Sequence, residues 1–319
     1  MRKNNSLALQ NQNSNRIILK TINKYKIFYL FALPGLLYIS IFKILPMLGM
    51  VMSFQIYIPW QGFLKSEWIG LANFKDMFTS EDFYMRLRNS LIINSYKIIF
   101  GFPIPILFAL LLNEIRVKWF KKLVQTVSYF PYFISWTIVS GILYSFLNYN
   151  YGVLNEILKH MGFAPIGWYQ EPGYWRFIVV ASSIWKGMGY SSIIYLAAIA
   201  GINQELYEAA IVDGAGRLKR AIHITIPGMI PSITVMFILG IGGMISGDFA
   251  QIQALMGENN GALFPAIDIL ETYTFRIYSG RIDLLSYGVA IGMVQSIIAF
   301  ALVYGTNKVV RKYNEYSLW

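Results

Sequence analysis

Apolar residues fall into six long runs separated by polar stretches: roughly 27–54, 90–112, 123–147, 177–199, 222–245 and 284–304. A membrane-crossing helix needs about 20 mostly apolar residues, so each run is long enough to span. Lipid offers the backbone no hydrogen-bond partner, so the spans are expected to be helices. The ten-residue alternation of a membrane β-barrel is missing. The first run is too long for one perpendicular crossing, and Pro34 and Pro46 are expected to bend it. Residues 1–24, rich in Asn, Gln, Ser and Lys, read as a flexible cytoplasmic tail, and 314–319 as a second one. Between them 25–313 forms one six-span domain. The apolar run after Lys26 is too long for a cleaved signal peptide.

Composition supports this pattern. Of 319 residues, 56% are hydrophobic and 13% charged, with a mean hydropathy of +0.48. A soluble domain carries roughly twice that charge. There is no cysteine, which removes thiol catalysis, thiolate zinc sites and iron–sulfur clusters. His160 and His223 are isolated from each other, and no metal-ligand spacing occurs.

The net charge of +11 is distributed unevenly. Residues 1–26, 113–122, 200–221 and 305–319 carry 16 basic and 5 acidic side chains. Residues 55–89, 148–176 and 246–283 carry 8 and 11. Basic excess marks the cytoplasmic face, which puts both termini and the 200–221 connection inside. The surplus is a topology signal, and nucleic acid is not an expected partner.

One cytoplasmic connection carries a specific pattern. Asn203 can cap a short helix with Glu205 near its positive end. Leu206, Ala209, Ala210 and Asp213 then share one shallow side, and Gly214 can end the helix in a left-handed conformation. Arg217–Arg220 lead into the fifth span, with Pro227 and Pro231 near its start.

Glu208-Ala209-Ala210, Gly214, Ile224 and Ile226-Pro227 stand at the spacing of the EAA loop, here residues 201–227. That spacing resembles importer-type ABC transporter permeases of the binding-protein-dependent sugar family, the MalF-like and LplB-like chains. Ile-Pro replaces the family's usual Leu-Pro. Asp213-Gly214-Ala215, Gly70-Leu71-Ala72-Asn73-Phe74 and Asn89-Ser90-Leu91 are similar to segments of the same family. The resemblance implies an all-α, six-span type I importer permease in a bacterial-type plasma membrane. It implies a second homologous permease, two ATP-binding subunits and an extracytoplasmic solute-binding protein that delivers a carbohydrate, an oligosaccharide. Glu208, Ala209, Ala210, Asp213, Gly214, Ile224 and Pro227 would couple the chain to the ATPase. The sequence contains no G-x-x-x-x-G-K-[ST], so ATP and its Mg belong to the partner and the chain is not itself an enzyme.

Three lysines lie inside spans, where ionisable groups are costly. Lys43 is placed to snorkel. Lys97 and Lys186 are candidates for the substrate pathway, with Trp185, Tyr190 and Gln295, because flat aromatic faces and amides suit sugars. The acidic connection 246–283 is expected to meet the binding protein or line the entrance. An ion-coupled secondary transporter, which would want acidic groups inside the spans, and an ABC permease for a non-sugar solute are the competing readings.

Overall fold

A computed structural model describes residues 24–257 and 260–313; of the expected tails 1–24 and 314–319, all but residue 24 lies outside the described residues. Among the described residues, five helices are long and apolar enough to cross a membrane. They are α1 (Lys26–Phe54), α3 (Glu81–Glu114), α7 (Pro172–Ala200), α9 (Arg217–Gly242) and α13 (Leu285–Tyr313). The expected run 123–147 is instead a pair, α4 (Lys118–Phe133) and α5 (Trp136–Leu147), bent by 100° at Ile134-Ser135. The physical cause is local: Pro131 stands in the last turn of α4, Ile134 and Ser135 are extended, and the Ser135 hydroxyl accepts from Ile138 N to start α5.

The first span is continuous through Pro34, but its winding changes. Ser40–Ile44 is a π turn and Leu45–Phe54 a 3-10 segment that takes Pro46 in its first turn. Lys26–Ile39 buries no side chain, as expected of a helix facing lipid or another subunit. Lys43 lies exposed in the π turn.

Short elements link the spans. β1 (Gln55–Ile56) and β2 (Glu67–Trp68) pair antiparallel, Gln55 opposite Trp68. α2 (Ala72–Thr79) follows Gly70, whose φ of +61° suits glycine. The Asn73 amide donates to the Ser53 and Gln55 carbonyls, satisfying groups freed where α1 ends, while Phe54 stacks on Trp68 and makes a tilted contact with Phe74. α6 (Val153–His160) lies between α5 and α7.

The connection 246–283 carries structure of its own. It is a folded part of the core, built from α10 (Phe249–Met256), α11 (Phe264–Ile267) and α12 (Leu270–Gly280). Ile252, Leu255, Leu263, Ile267 and Ile269 pack against Ile93 of α3 and Trp175 and Val179 of α7. Asp268, fully buried, accepts from Arg86 Nε at 2.7 Å and from Arg276, and the Asn89 amide donates to the Phe264 and Asp268 carbonyls. Ser90 Oγ accepts from Leu270 N. The Asn89-Ser90 pair therefore stitches α3 to this connection.

Candidate functional site: an exposed helix and a cavity among the spans

The first candidate is α8 (Gln204–Val212). Asn203 Oδ1 accepts from Glu205 N at 3.0 Å, the expected cap. Its C-terminus closes as a Schellman turn, with Ala215 N donating to Ala210 O and Gly214 at φ +77°. α8 buries no residue; Leu206, Ile211 and Val212 stand exposed beside Glu208 and Ala209. Such an apolar, shallow and uncovered surface suits another protein.

Two contacts join α8 to α9. The Tyr207 hydroxyl lies 2.9 Å from the buried Thr225 Oγ1, inside the π turn Ala221–Thr225. Gly228 lies so close to the α7–α8 turn that a Cβ there would meet Ile202 Cδ1 at 2.6 Å. Ile224 sits in the π turn and Pro227 at the second position of the α-helix that follows. Tyr207, Thr225 and Ile202 were not legible as a linkage, because their partners are set by how α9 folds over the turn.

The second feature lies among α3, α7 and α9. Lys97 begins a π turn, Lys97–Gly101, in mid-α3, where the widened helix turns its side chains to a new face. Cavities of about 460 and 190 Å³ open here and share Lys97, Gly101, Pro105 and Ser191 as walls. The larger is completed by Asn94, Tyr195 and the small residues Gly240 and Gly243. Lys97 Nζ donates to Gln251 Oε1 at 2.6 Å. Gln251 is fully buried and its Nε2 donates to Val179 O and Ser182 Oγ, which fixes the orientation of the amide.

The other span residues go elsewhere. Lys186 Nζ donates to Tyr132 O at 2.6 Å and lies over the Tyr132 and Trp136 rings, satisfying a carbonyl freed where α4 breaks. Tyr190 stacks on Tyr132 with centroids 3.8 Å apart. Trp185 lines an apolar groove of about 370 Å³ against α5. Gln295, on α13, has a buried Nε2 with no partner among the described residues. Of the five proposed pathway residues, only Lys97 lines the cavity between α3, α7 and α9.

Outside the spans, Glu271 Oε2 accepts from Gly247 N at 2.6 Å. Burial pushes this carboxyl up to about 7, against the opposing pull of the Gly247 N–H and Lys97; Asp248 adds to the rise.

The family described as "Binding-protein-dependent transport system inner membrane component" matches residues 101–310, which span α8 and most of the cavity. The chain belongs to this family. Among relatives of this transport component, Protein LplB of Bacillus subtilis is 39% identical over 93% of this chain and 92% of its own. The polygalacturonan/rhamnogalacturonan transport system permease protein YteP of the same organism is 36% identical over 98% and 96%. Two solved structures share the fold. One is a bacterial ABC transporter involved in the import of the acidic polysaccharide alginate (34% identity, TM-score 0.82, 92% of this chain and 98% of that one). The other is a bacterial alginate ABC transporter in complex with an alginate pentasaccharide-bound periplasmic protein (33%, 0.84, 94% and 99%).

Proposed function

We propose that this chain is a permease subunit of an ATP-driven ABC importer that translocates an oligosaccharide handed over by an extracytoplasmic solute-binding protein. It would work in the plasma membrane with six crossings and both termini inside, beside a second homologous permease and two ATP-binding subunits. Those subunits would supply the ATP and Mg site. The observation that carries the reading is α8: a capped, uncovered helix joined mechanically to a span through Tyr207–Thr225 and Ile202–Gly228. Names among the relatives and the alginate structures support carbohydrate as the class of cargo.

The mechanics follow from rigidity. An ATPase subunit that closes on its twin pulls on Glu208, Ala209, Ala210, Asp213 and Gly214. The hydroxyl pair and the tight Gly228 packing pass that displacement to Ile224, Pro227 and α9, whose Gly240 and Gly243 line the cavity. In proteoliposomes holding the assembled importer, Glu208→Lys or Gly214→Val leaves the chain inserted while ATP hydrolysis no longer drives uptake. Removing the Walker lysine of the ATPase abolishes uptake in the wild type. Coupled turnover at wild-type level in both variants would overturn the assignment of α8.

A further inference from the structure

Lys97 is the cation that the structure brings to the cavity among α3, α7 and α9, and its surroundings are unusual for a lysine inside a span. Charged side chains at membrane depth ordinarily pair with an opposite charge. Lys97 forms no ion pair among the described residues; its hydrogen-bond partner is the neutral Gln251 amide. Asp248 and Glu271 are near enough to act on it electrostatically, but neither contacts the ammonium. Asp248 accepts from Trp136 Nε1 and Gln251 N, and Glu271 accepts from Gly247 N. An ammonium has three donors, so a single acceptor leaves two to be used.

Neutral hydrogen-bonding groups surround it. On α7, Ser182 and Ser192 face protein and bond back to carbonyls of their own helix, Val179 O and Gly189 O. Ser183 and Ser191 line the cavity and make no such bond among the described residues. The Tyr195 hydroxyl is likewise without a hydrogen bond among the described residues. Hydroxyls left open beside one fixed ammonium match a ligand rich in hydroxyl groups that also carries a carboxylate. At about 460 Å³ the larger cavity is within the usual range of ligand pockets, about 300–1,000 Å³.

We infer that Lys97 is a specificity-determining residue that binds the carboxylate of an acidic sugar, making uronate-containing oligosaccharides the substrate class of this pathway. The inference rests on the proposed carbohydrate import. Gln251 positions the ammonium without neutralising it. A sugar carboxylate then becomes its counter-ion as each unit passes, while Ser183, Ser191 and Tyr195 meet the hydroxyls.

The test is ATP-driven uptake by the assembled importer in membrane vesicles, with pentagalacturonate and its fully methyl-esterified, uncharged form as probes. Wild type takes up the acid in preference to the ester. Lys97→Gln lowers uptake of the acid about 10- to 100-fold, as expected for a lost charged hydrogen bond, with the ester unaffected. Lys97→Arg, which keeps the charge, retains preference for the acid, and its membrane level serves as the control for folding. Equal losses for both probes in Lys97→Gln would make Lys97 a structural residue and overturn the inference. So would wild-type import of neutral oligosaccharides with exclusion of the acid, an outcome that leaves carbohydrate import standing. A wild-type importer that moves no carbohydrate of either charge would overturn the inference together with the function beneath it.

Discussion

Gly189 shows how much a single position decides in a chain of this kind. A Cβ there would lie 2.1 Å from the Ser128 carbonyl oxygen, because α7 and α4 approach backbone to backbone. Small residues allow such approach in membranes, where packing replaces the hydrophobic drive. Gly187, one turn-half away, has open space around it. Gly189→Ala is expected to cost about 1–3 kcal/mol through overpacking, while Gly187→Ala costs nothing measurable. Thermal melts of the two variants in detergent check this; matching melting temperatures would show that the close approach is absent. The same scale separates the lysines. Lys186 and Lys97 look alike in sequence, each an isolated lysine that follows an aromatic residue within a span. One satisfies the carbonyl at the α4 break and the other enters the cavity. That difference was not legible, because a lysine's partner belongs to another helix.

At the scale of elements, the acidic connection 246–283 shows what the sequence left open, namely that it folds into the core. Its apolar residues never form a run long enough to span, and Gly, Asn and Pro break it into helices of 4 to 11 residues. Burial of Asp268 and Gln251 among Ile252, Leu255 and Ile267 converts those fragments into core. Glu271 reports on this packing. Its native value near 7 lies above the ordinary 4.5, so the folded protein holds a proton that the unfolded chain releases. The contribution of Glu271 to stability is therefore fully present below about 4.5 and is lost as pH rises through about 7. Lys97 and Asp248 are the charged groups that act on it. Glu271→Gln is expected to flatten the dependence between these values, read as detergent melting temperature against pH. An unchanged slope would show that Glu271 titrates normally. By contrast α8 was legible almost entirely, since its cap, its spacing and its terminating glycine are all local.

For the molecule as a whole, the bent pair α4–α5 decides the number of crossings. A 100° bend belongs equally to a broken span and to a re-entrant turn. The distribution of basic residues favours a crossing, with 113–122 inside and 148–176 outside. The chain has no cysteine, so single cysteines can be placed without background. Lys118→Cys and Glu205→Cys are expected to react with a membrane-impermeant maleimide only from the cytoplasmic side, and Asn150→Cys only from outside. Labelling of positions 118 and 150 from the same face would reduce the count to five crossings.

The sequence by itself determined the class of molecule, the approximate spans, the orientation signal and the capped helix α8. Each depends on composition or on neighbours within about four residues, and lipid allows the backbone little choice but helix. Only the tertiary structure decided that α4 and α5 are bent apart, that 246–283 is core, and that Lys97 rather than Lys186 lines the cavity. Those outcomes depend on which helices meet: Lys97 and Gln251 are 154 positions apart, and Arg86 and Asp268 are separated by 182. No local pattern encodes a contact at that distance, because it forms only when separate helices bury one another's polar groups.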